Sequence, residues 1–157
     1  MIFFTLKRRV KLSLGGAMND RMFPRYVRID REAGELLSKL NSSPTSPFRG
    51  KKKRDIFMYA AAIGSYSGES KSSKNKADLN LFTDFPTKQT VLMDVIALKH
   101  FNYDLDKIVD GKEVVNVVED YANAGSKILY NMIVSSVSKS ELESKIFDIL
   151  KEAKLSE

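Results

Sequence analysis

Cysteine is absent from the 157-residue chain. Its absence removes disulfide frameworks, thiolate zinc sites, iron–sulfur clusters and cysteine nucleophiles together, and it fits a reducing compartment. Histidine occurs once, as His100, so no paired-histidine metal site can form. A serine triad needs a histidine base, and His100 has no motif-level serine or acid beside it. Neither GxxxxGK followed by Ser or Thr nor GxGxxG is present, which excludes the common glycine-rich phosphate loops. No apolar run approaches the ~20 residues of a membrane span. At the start of the chain, apolar residues precede Lys7, Arg8 and Arg9, the reverse of the charge-first order of a secretory signal. These absences together predict a cytoplasmic protein with no membrane contact, no cofactor, no catalytic constellation and no metal site.

What is present suits one domain of ordinary size, long enough to bury a core without staples. Residues 1–17 form a basic arm or extension, residues 18–135 a helical core domain, and residues 136–157 a C-terminal helix. The expected fold class is mainly α, with about five helices and one or two short β-strands near the N-terminal half. Arg25 to Ile29 alternates polar and apolar residues, as a short strand does. Asp30 then caps a helix carrying Ala33, Leu36, Leu37 and Leu40 at helical spacing. A strand running into a capped helix resembles the opening of ribbon-helix-helix proteins, but residues 41–47, rich in Ser and Pro, give a loop where the second helix should stand.

Ile56, Phe57, Ala60, Ala61 and Ile63 predict a central helix ending near Gly64, whose alanines permit close helix–helix approach. Residues 65–76 are polar and serine-rich and predict an exposed mobile loop. Leu79 to Phe82 reads as a short strand. Thr87 is the expected cap of a helix burying Val91, Leu92, Val95, Ile96 and Leu98, with His100 at its end interacting with the helix dipole. After Asp110-Gly111 comes the clearest helix, with Val114, Val117, Val118, Tyr121, Gly125, Ile128, Leu129 and Met132 three and four residues apart. Gly125 within it costs about 1 kcal/mol against alanine, a cost that usually accompanies close approach of another backbone. A final helix over 138–153 presents Leu142, Ile146, Phe147 and Leu150.

The net charge of +6 is unevenly spread. Residues 1–17 carry +4, residues 18–42 carry +1, residues 43–76 carry +6 and residues 77–157 carry −5. A basic front half is therefore joined to an acidic back half. Polarity of this kind bears on partners more than on fold. Lys51, Lys52, Lys53 and Arg54, with Lys71, Lys74 and Lys76, are the candidate nucleic-acid-binding residues, because clustered cations are the footprint of phosphate-backbone binding. Lysines at a helix N-terminus also oppose the macrodipole by a few tenths of a kcal/mol each, a local conflict that suits a partner-binding role. A central helix of about nine residues spans only ~14 Å, so both clusters are expected to meet one ligand. The alternative use of the same polarity is attraction between front and back, within one chain or in a homo-oligomer. Asp104, Asp106 and Asp110 form the nearest thing to an acidic metal cluster, yet beside a helix start they read as caps.

Three stretches resemble one family, one of them the helix Val91–Leu98 with the aspartate-rich turn that follows it. Asp55-Ile-Phe-Met-Tyr-Ala-Ala-Ala-Ile-Gly64 is similar to the DIF-x-x-AA-x-x-G core helix of small bacterial and archaeal accessory proteins associated with DNA phosphorothioation (Dnd-type) defence clusters, the Dnd system-associated protein 4-like family. Glu119-Asp-Tyr-Ala-Asn-Ala-Gly125, with Ile128-Leu129 behind it, resembles the EEYAN-x-G of its second half, although Ala124 stands where a second glycine is expected. The resemblance covers about residues 25–133 and leaves the first 17 residues and the last helix outside. It implies a context and no reaction, so no catalytic residue is carried over. The expected function is a non-enzymatic accessory protein of a DNA-modification or antiphage system, with DNA or other defence proteins as partners. A pure protein–protein interaction or oligomerisation module is the second reading, and a metal-dependent nuclease using Asp104 and Asp106 the third.

Overall fold

The computed structural model of the chain describes residues 21–136 and, beyond them, residues 140, 141, 143–145, 147 and 148. The expected arm over residues 1–17 lies outside the described residues, as do Leu142, Ile146 and Leu150 of the final helix; the described residues from 140 to 148 are helical. The fold is mainly α. Strand β1 (Tyr26–Asp30) leads directly into α1 (Arg31–Ser42), followed by α2 (Lys53–Ser67), β2 (Lys76–Leu81), α3 (Thr87–His100) and α4 (Gly111–Val134). The strands pair antiparallel, Tyr26 opposite Leu81 and Asp30 opposite Lys76, with a bulge between Val27 and Arg28.

Asp30 caps α1 as its sequence position predicts. Its carboxylate accepts from the amides of Glu32 (3.1 Å) and Ala33 (3.4 Å), two of the orphan donors that every helix start must satisfy. Asp110 does the same for α4 through the Lys112 amide at 2.9 Å. α2 ends at Gly68, whose left-handed φ of 72° lets its amide turn back to the carbonyls of Gly64 and Ser65, the usual glycine C-cap.

The architecture turns on the crossing of α2 with α4. The two run antiparallel, and Gly64 on one meets Tyr121 on the other while Gly125 meets Ala60. A Cβ at Gly125 would collide with the Ala60 carbonyl, 2.7 Å from its carbon, and would stand 2.8 Å from the Gly64 nitrogen. A Cβ at Gly64 would likewise lie 2.9 Å from the Tyr121 carbonyl carbon. Ala60, Ala61 and Ala122 are fully buried along the same seam. Backbone therefore lies against backbone, and Ile56, Phe57, Val114, Val115 and Val118 fill the core on either side. The close approach expected of Gly125 and of the alanine-rich helix is present, and its partner is Gly64.

α3 departs from expectation. Pro86 occupies the N-cap and Thr87 is already the first helical residue, with no side-chain cap bond. Met93, Ile96 and Ala97 form its buried stripe, with Leu92 and Leu98 packed at the margin, whereas Val91 and Val95 are 54% and 56% exposed. The helix is apolar over more than half of its circumference, so periodicity could not choose the face that meets α4. Ahead of β1, Arg21 forms a two-pronged ion pair with Asp94 (2.6 and 3.0 Å), its side chain only 3% exposed. Its guanidinium also lies over the Phe23 ring, which stacks on Phe82 at 4.2 Å.

An alanine in a helix interior normally gains about 1 kcal/mol over glycine. At Gly125 the sign reverses, because overpacking a fixed backbone seam costs about 1–3 kcal/mol or more. Gly125→Ala is expected to lower the unfolding free energy by roughly that amount in chemical denaturation. Gly34→Ala, which meets only the Ile29 Cγ2 methyl at 3.3 Å, should change it far less. Equal effects of the two substitutions would contradict the seam.

Candidate nucleic-acid interface

The seven cations singled out by the sequence fall into two groups at opposite ends of α2. That helix has 15 residues, not about nine, so its ends stand roughly 20 Å apart. The second group is not on a free loop. Residues 69–75 are fastened to α4 and β1. The Lys71 amide donates to the Asp120 carbonyl at 2.9 Å, Asn123 Nδ2 donates to the Lys71 carbonyl at 2.9 Å, and the Ser72 hydroxyl donates to the Asp120 carboxylate at 3.0 Å. The Ser73 hydroxyl donates to Asp30, and the Arg31 amide donates to the Asn75 carbonyl at 3.0 Å. The serines that made the segment look solvated are in fact its anchors.

Two of its lysines are spent on the same network. Lys76 lies in β2 rather than in the loop, and its ammonium contacts Glu119 at 2.8 Å and Asp120 at 3.9 Å. Lys71 sits 3.4 Å from Glu32 and 4.0 Å from Asp30, half exposed. Lys74 is exposed and has no ion-pair partner among the described residues.

Glu119 and Asn123, one turn apart on α4, also close the outer edge of β1. Glu119 Oε1 accepts the Arg28 amide at 2.7 Å and Asn123 Oδ1 the Asp30 amide at 2.9 Å. Two unpaired strand donors are thus satisfied by helix side chains where a third strand would otherwise be needed. Burial pushes the Glu119 carboxyl above its ordinary 4.5, against the opposing pull of Lys76 and the Arg28 amide. Asp30 moves the other way: burial raises it, but the Ser73 hydroxyl, the Ala33 amide, Lys71 and the Glu32 amide outweigh burial and hold it below 3.8.

The first group has a different surrounding. Lys51, Lys52 and Lys53 are exposed and make no ion pair among the described residues. Arg54 is partly withdrawn, donating to the Asp84 carbonyl and lying 3.7 Å from Asp55. The loop before α2 is tied back to α1, since the Gly50 amide donates to the Asn41 carbonyl at 3.1 Å and Asn41 Nδ2 donates to the Lys51 carbonyl. The end of α1 and the start of α2 therefore form one surface. Residues 36–54 contribute to it Lys39, Arg49, Lys51, Lys52, Lys53 and Arg54 and not one acid. A groove of about 560 Å³ between α1 and β2 is lined by Arg31, Lys39 and Lys53 together with Glu35, which lies between Arg31 and Lys39 on α1, and Asp78. Lys39 was legible only as an isolated charge, because nothing local brings it beside Lys53, with which it lines this groove. A larger groove, about 730 Å³ between α1, α4 and the 68–71 turn, mixes Glu32 and Glu69 with Lys71 and Lys127 and has no net sign.

The acidic turn before α4 is occupied with its own backbone. Asp104 Oδ1 accepts the Asp106 amide at 3.1 Å and Asp110 caps α4. Among the described residues no group of three or more His, Asp or Glu side chains is placed to hold a metal ion. His100, the last residue of α3, is 2.9 Å from the Tyr121 hydroxyl through Nδ1. No helix of the described residues is long and apolar enough to cross a membrane.

Stability should carry two opposite pH limbs. Asp30, with its lowered value, contributes stability that is present above 3.8 and is lost as pH falls through its native value. Glu119, with its raised value, binds its proton more tightly folded than unfolded, so stability declines as pH rises from 4.5 through its native value. Asp30→Asn keeps a competent cap and is expected to flatten the acid limb alone. Glu119→Gln should flatten the other, as read by urea midpoints across a pH series. An unchanged profile in both variants would refute the assignment.

A scan of protein-family models matches residues 26–157 to the family described as DNA sulphur modification system-associated protein 4. The match begins at β1, as the resemblance implies, and runs through the final segment, beyond residue 133. Searches of curated proteins and of solved structures return no match.

Proposed function

Because the chain belongs to the family of DNA sulphur modification system-associated protein 4, we propose that it is a non-enzymatic accessory protein of a prokaryotic DNA-modification or antiphage defence system, and that it contacts DNA through its basic surface. The observation that carries this reading is the acid-free run over residues 36–54, folded so that Lys51, Lys52 and Lys53 stand unpaired beside Lys39 and Arg49. Intramolecular pairing takes up Lys71 and Lys76, so among the described residues the charge left for a polyanion is concentrated at the α1–α2 junction. Lys74 remains as an outlying cation. Phosphate contacts supply sequence-independent affinity through counterion release, which suits a protein that positions itself on DNA without chemistry of its own.

A second reading, an interaction module that binds another protein of the system and no nucleic acid, is favoured by Val91 and Val95. These two valines, one turn apart on α3, are more than half exposed. Association lost on Val91→Glu with Val95→Glu, in a protein that never binds DNA, would decide for it.

Three lysines each neutralising one phosphate give a slope of log K against log salt of about −2 to −3. Changing Lys51, Lys52 and Lys53 to Glu is expected to weaken DNA binding on the order of 10- to 100-fold at low salt and to flatten that slope. Lys112→Glu, at the far end of the α2–α4 pair, serves as the control and should leave both unchanged. Fluorescence anisotropy over a salt series reads both quantities. Affinity indifferent to the triple change would overturn the reading.

A further inference from the structure

One exposed aromatic ring stands next to the basic surface. Tyr59 on α2 is 58% exposed, and its hydroxyl makes no hydrogen bond among the described residues. Its ring is held edge-on by Phe48, with centroids 5.2 Å apart and planes at 60°. Phe48 belongs to the loop that carries Arg49 and Lys51, and its carbonyl accepts the Lys51 amide at 3.0 Å. Tyr59 follows Lys52, the N-cap of α2, by seven residues, about two turns along the helix. That separation is about 10 Å, the length of a few nucleotides, whose charges repeat every ~3.4 Å along one stacked DNA strand. Asp55, the acid between them in the sequence, is already bound by Gln89 Nε2 at 2.7 Å and faces Arg54.

A ring in this position has a definite use. Tyrosine offers a flat π-face at small conformational cost, and stacking of a base on an aromatic side chain is a main source of affinity for unpaired strands. In a duplex the base faces are covered by their neighbours, so a ring standing on a helix flank has nothing to stack on. A buried tyrosine would be explained by the core, and a ring far from cations by chance exposure, but Tyr59 is neither.

We infer that the surface takes an unpaired stretch of DNA, with Lys51, Lys52 and Lys53 on its backbone and one base stacked on Tyr59. This inference rests on the DNA-binding reading above and narrows its ligand to single strands.

The test compares a single-stranded oligonucleotide of about 20 nucleotides, longer than a typical single-strand site, with the duplex of the same sequence, using the full chain. The wild type is expected to bind the single strand more tightly. Tyr59→Ala should weaken single-strand binding roughly 5- to 100-fold and duplex binding less than about twofold, while Tyr59→Phe, which keeps the ring, stays near wild type. The chain has no tryptophan, so Tyr59→Trp places its sole indole at the site, and quenching of that indole by the single strand and not by the duplex is the stacking signature. If Tyr59→Ala binds single strands like the wild type while the triple lysine change abolishes binding, stacking is wrong and the DNA-binding reading stands. Tighter binding of duplex by the wild type also overturns the inference. If the wild type binds neither form, both readings fall.

Discussion

The backbone-to-backbone crossing of α2 and α4 is the constraint on which the rest of the structure depends. Gly64 and Gly125 leave no room for even a methyl group between the helices, so the helices have one depth and one register at which they can meet. At that register Glu119 and Asn123, on the same turns of α4 as the seam, fall opposite the free edge of β1 and accept its two outward amides. A sheet of only two strands would ordinarily be marginal. Here one edge is closed by a helix, and the strand pair becomes a fixed platform from which α1 starts at Asp30. A helix sliding by one residue would take both acceptors away from the strand.

The same register decides where the charges go. Once Glu119 is buried against β1 its carboxylate needs a cation, because an unpaired buried charge is far costlier than an unpaired surface one. Lys76, on β2, supplies it at 2.8 Å, and Asp120 holds the preceding segment by backbone and side chain. The attraction between basic front and acidic back that the charge profile suggested is thus real, but local. It consumes Lys71 and Lys76 and does not reach residues 36–54. Among the described residues, the net positive charge left over is gathered where α1 meets α2.

Much of this was legible in the sequence wherever the cause was local. The Asp30 cap and the α4 start at Asp110 follow from neighbours within a few residues, and a glycine inside a helix as regular as α4 signals a close approach without naming its partner. What could not be read had distant causes. Ser72, Ser73 and Lys76 looked like a solvated loop because their partners, Asp120, Asp30 and Glu119, lie 43 to 48 residues away. The buried face of α3 was ambiguous because valine, leucine, isoleucine and methionine cover more than half of its circumference, so only contact with α4 selects Met93 and Ile96 over Val91 and Val95. At the candidate interface, Lys51–Lys53 were visible as a run. Lys39 joins them only because the hydrogen bonds of Asn41 to Gly50 and Lys51 tie the end of α1 to the start of α2, and Tyr59 meets their loop through Phe48.

Two of the three stretches that carry the family resemblance can now be assigned physical roles, and those roles concern construction. In Asp55–Gly64, Ile56 and Phe57 are core, Ala60, Ala61 and Gly64 form the seam, and Asp55 ties α2 to α3 through Gln89. In Glu119–Gly125, Glu119 and Asn123 close the strand edge, Ala122 and Gly125 complete the seam, and Tyr121 meets His100. Family membership of this kind certifies a fold, since these residues would be required whatever the molecule did. Function must therefore be sought in positions the fold does not need. Lys51, Lys52, Lys53 and Tyr59 are such positions: their side chains are exposed and touch little beyond the Phe48 ring, and they lie along the first half of α2 and the loop before it. A surface that the fold positions without using is where a partner's demands can be met at no cost to stability.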